Sequence, residues 1–93
     1  MRHFIIAKLK DSSKRNELQA PVQELFNHTL EIDGIEDVKV HVCNVDISNR
    51  YDLMIEITMT REALEEYKEC EAHKTWKREY GDLLAAKTIF DCE

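Results

Sequence analysis

His73, Trp76, Tyr80 and Leu84 are spaced i, i+3, i+7 and i+11, which sets an imidazole at the head of one helical stripe. Ala63, Leu64 and Tyr67 share a stripe on the short helical segment before it, and this adds a phenol. On the strands, His3 alternates into the row of Ile5, Ala7 and Leu9, and Asp91 falls in the row of Ile89. Two histidines, a tyrosine and an aspartate are thus directed into one sheet–helix layer. They are groups that exchange protons and share hydrogen bonds. Two readings stay open at this level. The four are satisfied polar groups of a small core, as Tyr and His often are, or they line a cavity that takes a ligand. Spacing alone favours the first; the number of convergent groups argues for the second, because each buried polar group needs a partner.

Other constellations carry less. Two histidines and an aspartate suit a metal, but no H-x-x-x-H or paired-carboxylate spacing supports one, so no metal is expected. There is no Gly-rich phosphate loop and no G-x-S-x-G elbow. His28 and His41 fall on polar positions and read as solvated, as does the charged face Glu62, Glu65, Glu66, Lys68 and Glu69. Cys43, Cys70 and Cys92 are odd in number and lack C-x-x-C spacing, which speaks against a disulfide framework or a thiolate zinc site. The opening Met1–Lys8 meets a lysine after four apolar residues, too few for an export signal, so a cytoplasmic protein with free thiols is expected. Thirteen Lys and Arg against nineteen Asp and Glu leave a net charge of −6, which argues against nucleic acid as a partner. No apolar run approaches the roughly 20 residues that cross a bilayer, so no membrane association is expected.

The elements that must position these groups follow from periodicity. His3–Leu9 alternates as a strand, and Asp11-Ser12-Ser13 signals a helix start. Leu18, Val22, Leu25, Phe26 and Thr29 follow one helix face; Pro21 inside this stretch predicts a kink or a helix beginning near it, and Asp33-Gly34 its end. Val38–Cys43 and Tyr51–Met59 alternate as strands around a polar loop, Asn44–Arg50. Thr60 reads as an N-cap of a helix through Cys70, a second helix runs from Glu71 to Tyr80 and stops at Gly81, and Lys87–Cys92 alternates again. The order β-α-β-β-α-β, with its second helix broken in two, predicts a single α+β domain over residues 1–93. It is a ferredoxin-like split β-α-β fold: a four-stranded antiparallel sheet with helices on one face. The row His3, Ile5, Ala7, Leu9 with Leu53, Ile55 and Ile57 is the stronger apolar face and belongs under the helices. The other face carries Phe4, Ile6, Met54, Phe90 and Cys92, a patch that predicts self-association. A chain of 93 residues also buries too little surface alone to be more than marginally stable.

Several of these segments resemble one family, the stress-responsive α/β-barrel (Dabb) domain. They are Arg2–Lys10, Tyr51–Ile57, Glu62–Tyr67 followed by Ala72–Trp76, the turn Ile32-Asp33-Gly34-Ile35 and the closing Ile89-Phe90-Asp91. The resemblance implies a dimeric α/β barrel: a homodimer in which two sheets meet through Phe4, Ile6, Met54 and Phe90. It also implies a pocket in each subunit for a small hydrophobic or aromatic molecule. In the polyketide-cyclase members a histidine and a tyrosine close a ring without a cofactor, and by position that pair is His73 and Tyr67. Asp91 would orient the His73 imidazole, and His3, Ile5, Leu25, Leu53 and Trp76 would face the substrate. Cys70-Glu71 replaces the family's His-Pro, and Leu25 and Leu53 replace a tyrosine and a histidine of the cyclase pocket. A non-catalytic stress-related binding or structural protein and a cofactor-independent monooxygenase are the alternatives.

Overall fold

Strict alternation of apolar residues builds the two central strands, and everything else is arranged around them. In the computed structural model, which describes residues 1–93, β1 (Arg2–Leu9) buries His3, Ile5, Ala7 and Leu9 and turns Arg2, Phe4, Ile6 and Lys8 the other way. β3 (Leu53–Met59) does the same with Leu53, Ile55, Ile57 and Met59. The two pair antiparallel with Ile5 opposite Ile55 and Ala7 opposite Leu53, so their apolar rows merge into one surface. β2 (Ile35–Val42) adds to the far side of β3 and β4 (Leu84–Cys92) to the far side of β1, giving the order β2-β3-β1-β4, all antiparallel. This is the expected α+β, ferredoxin-like arrangement.

Helix α1 (Arg15–Asn27) covers the β2 side, burying Val22 and Phe26. Its glutamines also close the free edge of β2. The Val40 N–H donates to Gln23 Oε1 at 2.8 Å, while Gln23 Nε2 and Gln19 Nε2 donate to the Val38 and Val40 carbonyls. An edge strand covered in this way offers no template for another chain. Helix α2 (Ala63–Glu69) and helix α3 (Glu71–Thr75) cross the β1 side. Between them Cys70 adopts an extended backbone, which breaks the helix.

Several boundaries differ from the sequence reading, each for a local reason. α1 neither starts at Pro21 nor stops there: Pro21 is exposed in mid-helix, where the missing N–H falls on the solvent side. The helix gives way at Asn27 to a 3-10 turn, His28–Glu31, before the Asp33-Gly34 turn. Gly34 is needed there, because it has a φ of +96° and an added Cβ would lie 2.5 Å from Thr60 Oγ1. Thr60 does not cap α2: its carbonyl accepts from the Ala63 N–H in a turn, and no side chain caps that helix. The second helix runs through Tyr80 and Gly81 is its C-cap, as expected, but Gly81 keeps a right-handed backbone and the chain continues as a 3-10 turn. α3 passes through a π-helical turn, Trp76–Tyr80, and a 3-10 turn, Gly81–Leu83, straight into β4, which starts three residues earlier than expected.

One buried polar group unremarked in the sequence ties the start of the fold together. Asp52, almost fully buried, accepts from the Leu9 N–H at 2.8 Å, from Ser12 Oγ at 3.1 Å and from Arg15 Nη1 at 3.3 Å. It fixes the end of β1, the turn into α1 and the start of β3 at one point.

The helical layer is narrower than the sheet. Every residue of β4 from Ala85 to Asp91 is exposed. Ile89 on the helix-facing row is 48% exposed and Phe90 on the open face 57%. The open face carries Phe4, Ile6 and Met54, half-buried, with the Phe4 and Phe90 rings 6.3 Å apart. The charged group Arg2, Glu56 and His41 crosses the same face, with His41 Nε2 2.9 Å from Glu56 Oε1.

Candidate functional site

The uncovered β4 leaves an open cleft of about 430 Å³ between its helix-facing row and α2–α3. Register sets the strand wall: His3 lies opposite Asp91, Ile5 opposite Ile89 and Ala7 opposite Lys87. The helical wall is Leu64 and Tyr67 of α2, then His73 of α3 and Lys77 one turn later. His3, Tyr67 and His73 therefore do meet. The His3 and Tyr67 rings are 5.2 Å apart, edge to face, and the Tyr67 and His73 rings 4.9 Å.

The hydrogen bonding of these groups fixes what each can do. Tyr67 is 1% exposed, and its hydroxyl is the one buried side-chain polar atom of the chain without a partner. Burial pushes its pKa far above the ordinary phenol value, with the nearby Cys70 and Asp91 adding to the effect. It is thus a protonated donor with nothing to donate to. His73 Nδ1 lies 3.1 Å from the Lys68 carbonyl. A carbonyl only accepts, so Nδ1 carries the proton in this bond and Nε2 is left as the basic nitrogen. Burial holds the His73 pKa below 6.5, the Lys68 carbonyl opposes this, and the charges of Lys77, Lys87 and His3 push it further down. A neutral imidazole at pH 7 follows.

Asp91 does not orient His73. Its carboxylate takes Nδ1 of His3 at 2.5 Å, because the two are cross-strand partners on the same row, and the Lys68 carbonyl does for His73 what Asp91 was expected to do. Ile5 and Leu53 are core residues beneath the helices and do not reach the cleft. Trp76 is likewise packed inside, edge-on to Phe26 at 5.5 Å and stacked on Tyr80. Leu25 lines a different opening of about 560 Å³ between the end of α1 and α2–α3, rimmed by Glu31, Glu66 and Glu71. That opening is larger, but none of the convergent polar groups lies there. Lys77 and Lys87 are additions to the site. Lys87 shares the alternating row of Ile89 and Asp91, and Lys77 follows His73 by four residues, so both were within reach of the periodicity.

The profile of the stress responsive A/B barrel domain (Dabb) family matches residues 1–93, every position of the chain. The chain belongs to this family. Among curated protein sequences none matches it. Solved structures of the same fold include a Dabb protein with a ferredoxin-like fold from Mesorhizobium loti. It is 15% identical, with a TM-score of 0.72, and the match covers 99% of this chain and 93% of that one. A protein from Arabidopsis thaliana is 24% identical at a TM-score of 0.72, over 99% and 92% of the two chains. A protein of unknown function from Bacteroides fragilis, described as dimeric with a ferredoxin-like fold, is 13% identical at a TM-score of 0.76, over 99% and 93%. In the Dabb chain described here, no helix is long and apolar enough to cross a membrane.

Proposed function

We propose that this Dabb protein is a homodimer that binds a small hydrophobic or aromatic molecule in the cleft beside Tyr67 and His73, and that the pair performs cofactor-free acid–base chemistry on it. The observation that carries this reading is the orphaned Tyr67 hydroxyl. A buried, protonated donor without a partner costs about 1–3 kcal/mol, and the cleft beside it is where a ligand oxygen would relieve that cost. His73 complements it: a neutral imidazole with a free Nε2 suits removal of a proton next to a carbonyl. Tyr67 then stabilises the oxygen that gains charge. Asp91 enters one step removed, by fixing the His3 ring that packs on Tyr67. The second copy would meet the open face at Phe4, Ile6, Met54 and Phe90, in keeping with the dimeric relative of the same fold.

The test is deuterium exchange at the acidic carbon of a β-dicarbonyl compound, followed by NMR in D2O with the purified dimer. Faster exchange than buffer is expected, lowered about 10²- to 10⁴-fold by His73→Ala. Exchange that is unchanged in His73→Ala and in Tyr67→Phe refutes the assignment of roles.

A further inference from the structure

The cleft carries a charge opposite to that of the chain. The chain as a whole is at −6, yet the cleft is lined by Lys68, Lys77 and Lys87 against the single carboxylate of Glu69. Lys68 is shared with Glu65 at 3.5 Å. Lys77 and Lys87 take part in none of the nine ion pairs, so two lysines of the lining have no acidic partner within salt-bridge distance.

Their placement follows from the fold. Lys87 stands on the strand wall, in the row that continues to Ile89 and Asp91, and Lys77 on the helical wall beyond His73. The Asp91 carboxylate, the nearest acid on that row, is already engaged by His3. Leu64 and Ile89 add apolar side chains to the same lining, and the Tyr67 hydroxyl is a donor with no acceptor. Three lysines and the Tyr67 hydroxyl are donors of this lining, against the Glu69 carboxylate and the free Nε2 of His73 as acceptors. A neutral apolar molecule would make no use of the two exposed lysines; a cation would be repelled.

We infer that the ligand of this cleft is an organic anion: a hydrophobic or aromatic body packed on Leu64 and Ile89, bearing an acidic group held between Lys77 and Lys87. This deepens the pocket reading and rests on it. The same field favours any reaction in which negative charge develops on the ligand beside Tyr67.

The experiment compares two probes with one ring system, 2-naphthoate and 2-naphthylmethanol, titrated into ¹⁵N-labelled protein at low salt. The amide shifts are expected to cluster at Leu64, Tyr67 and Ile89, with naphthoate binding about tenfold more tightly, as two partly exposed ion pairs allow. The double variant Lys77→Ala, Lys87→Ala is expected to bring the two probes to near parity, and Lys77→Arg, Lys87→Arg to keep the preference. Added salt is expected to shrink the preference in the natural chain. If both probes bind in the cleft with equal affinity, or the preference survives the alanine variant, the anion inference is overturned and the pocket reading stands. If neither probe shifts the cleft amides, both fail.

Discussion

Replacing Tyr67 with phenylalanine removes one buried oxygen atom from a residue of the cleft lining and little else. The ring keeps its contacts with His3 and His73 at 5.2 Å and 4.9 Å. The hydroxyl that is lost has no partner in the ligand-free chain. An unpaired buried hydroxyl costs about 1–3 kcal/mol. The oxygen also fills space, and the small void it leaves gives back part of that gain. A stabilisation of about 1 kcal/mol is therefore expected for ligand-free Tyr67→Phe, which in a domain of this size raises Tm by about 4–8 °C. The effect on ligand affinity is unfavourable and offsets this gain. The variant forgoes one hydrogen bond of about 0.5–1.5 kcal/mol, so Kd rises by about two- to twelvefold. Urea denaturation and calorimetry of the two proteins, with and without ligand, measure both effects. A ligand-free Tyr67→Phe that is less stable by 1 kcal/mol or more would mean that the hydroxyl already has a partner. The phenol would then not be orphaned, and the binding cleft would lose its main support.

Three further outcomes are expected. His73 has its pKa held below 6.5 chiefly by burial, so the unfolded chain takes up this proton first as pH falls. The stability contribution is therefore complete above pH 6.5 and is lost on acidification through the folded value; His73→Gln is expected to flatten this limb of the urea midpoint against pH. Asp52→Ala strands the buried Leu9 N–H and leaves the Arg15 guanidinium only its 3.7 Å pairing with Asp46, and a loss of about 3 kcal/mol is expected in denaturant titrations. Phe90→Asp places a charge on the open face without touching the core, and sedimentation is expected to show dimer for the natural chain and folded monomer for the variant at micromolar concentration.

What the sequence disclosed, and what it hid, divides along physical lines. Strand alternation has a period of two and a helix face one of 3.6, so His3 by the first and Tyr67 and His73 by the second could be directed to one layer without knowledge of the fold. The partner of Asp91 depended on something more. His3 and Asp91 are 88 positions apart, and only the β1–β4 register makes them neighbours. Once both are put on the helix-facing row of adjacent strands, their pairing is the local choice, and assigning Asp91 to His73 overlooked it. Ile5, Leu53 and Trp76 were misplaced for another reason. Periodicity tells which side of a strand or helix is apolar, but not how far the helical layer reaches. Over β3 and the inner part of β1 that layer is closed, so these residues are core; over β4 it is open, and there the convergent polar groups line a cleft.

The width of that layer also bears on why one chain would need two kinds of partner. Only 20 of 93 residues are buried, a small core in which each further contact counts. The strand left uncovered is β4, and its two faces present large apolar side chains in succession, Ile89 toward the helices and Phe90 away from them. An edge strand with apolar residues on both sides invites indiscriminate association. The proposed ligand packs on Ile89 and the proposed second sheet packs on Phe90, so each would answer one face of the same strand. His3 and Asp91, paired at its end, hold that strand in register with β1 whether or not either partner is present. On this reading the cleft and the dimer face have one cause: three helical segments laid across a four-stranded sheet that is one strand wider than they can cover.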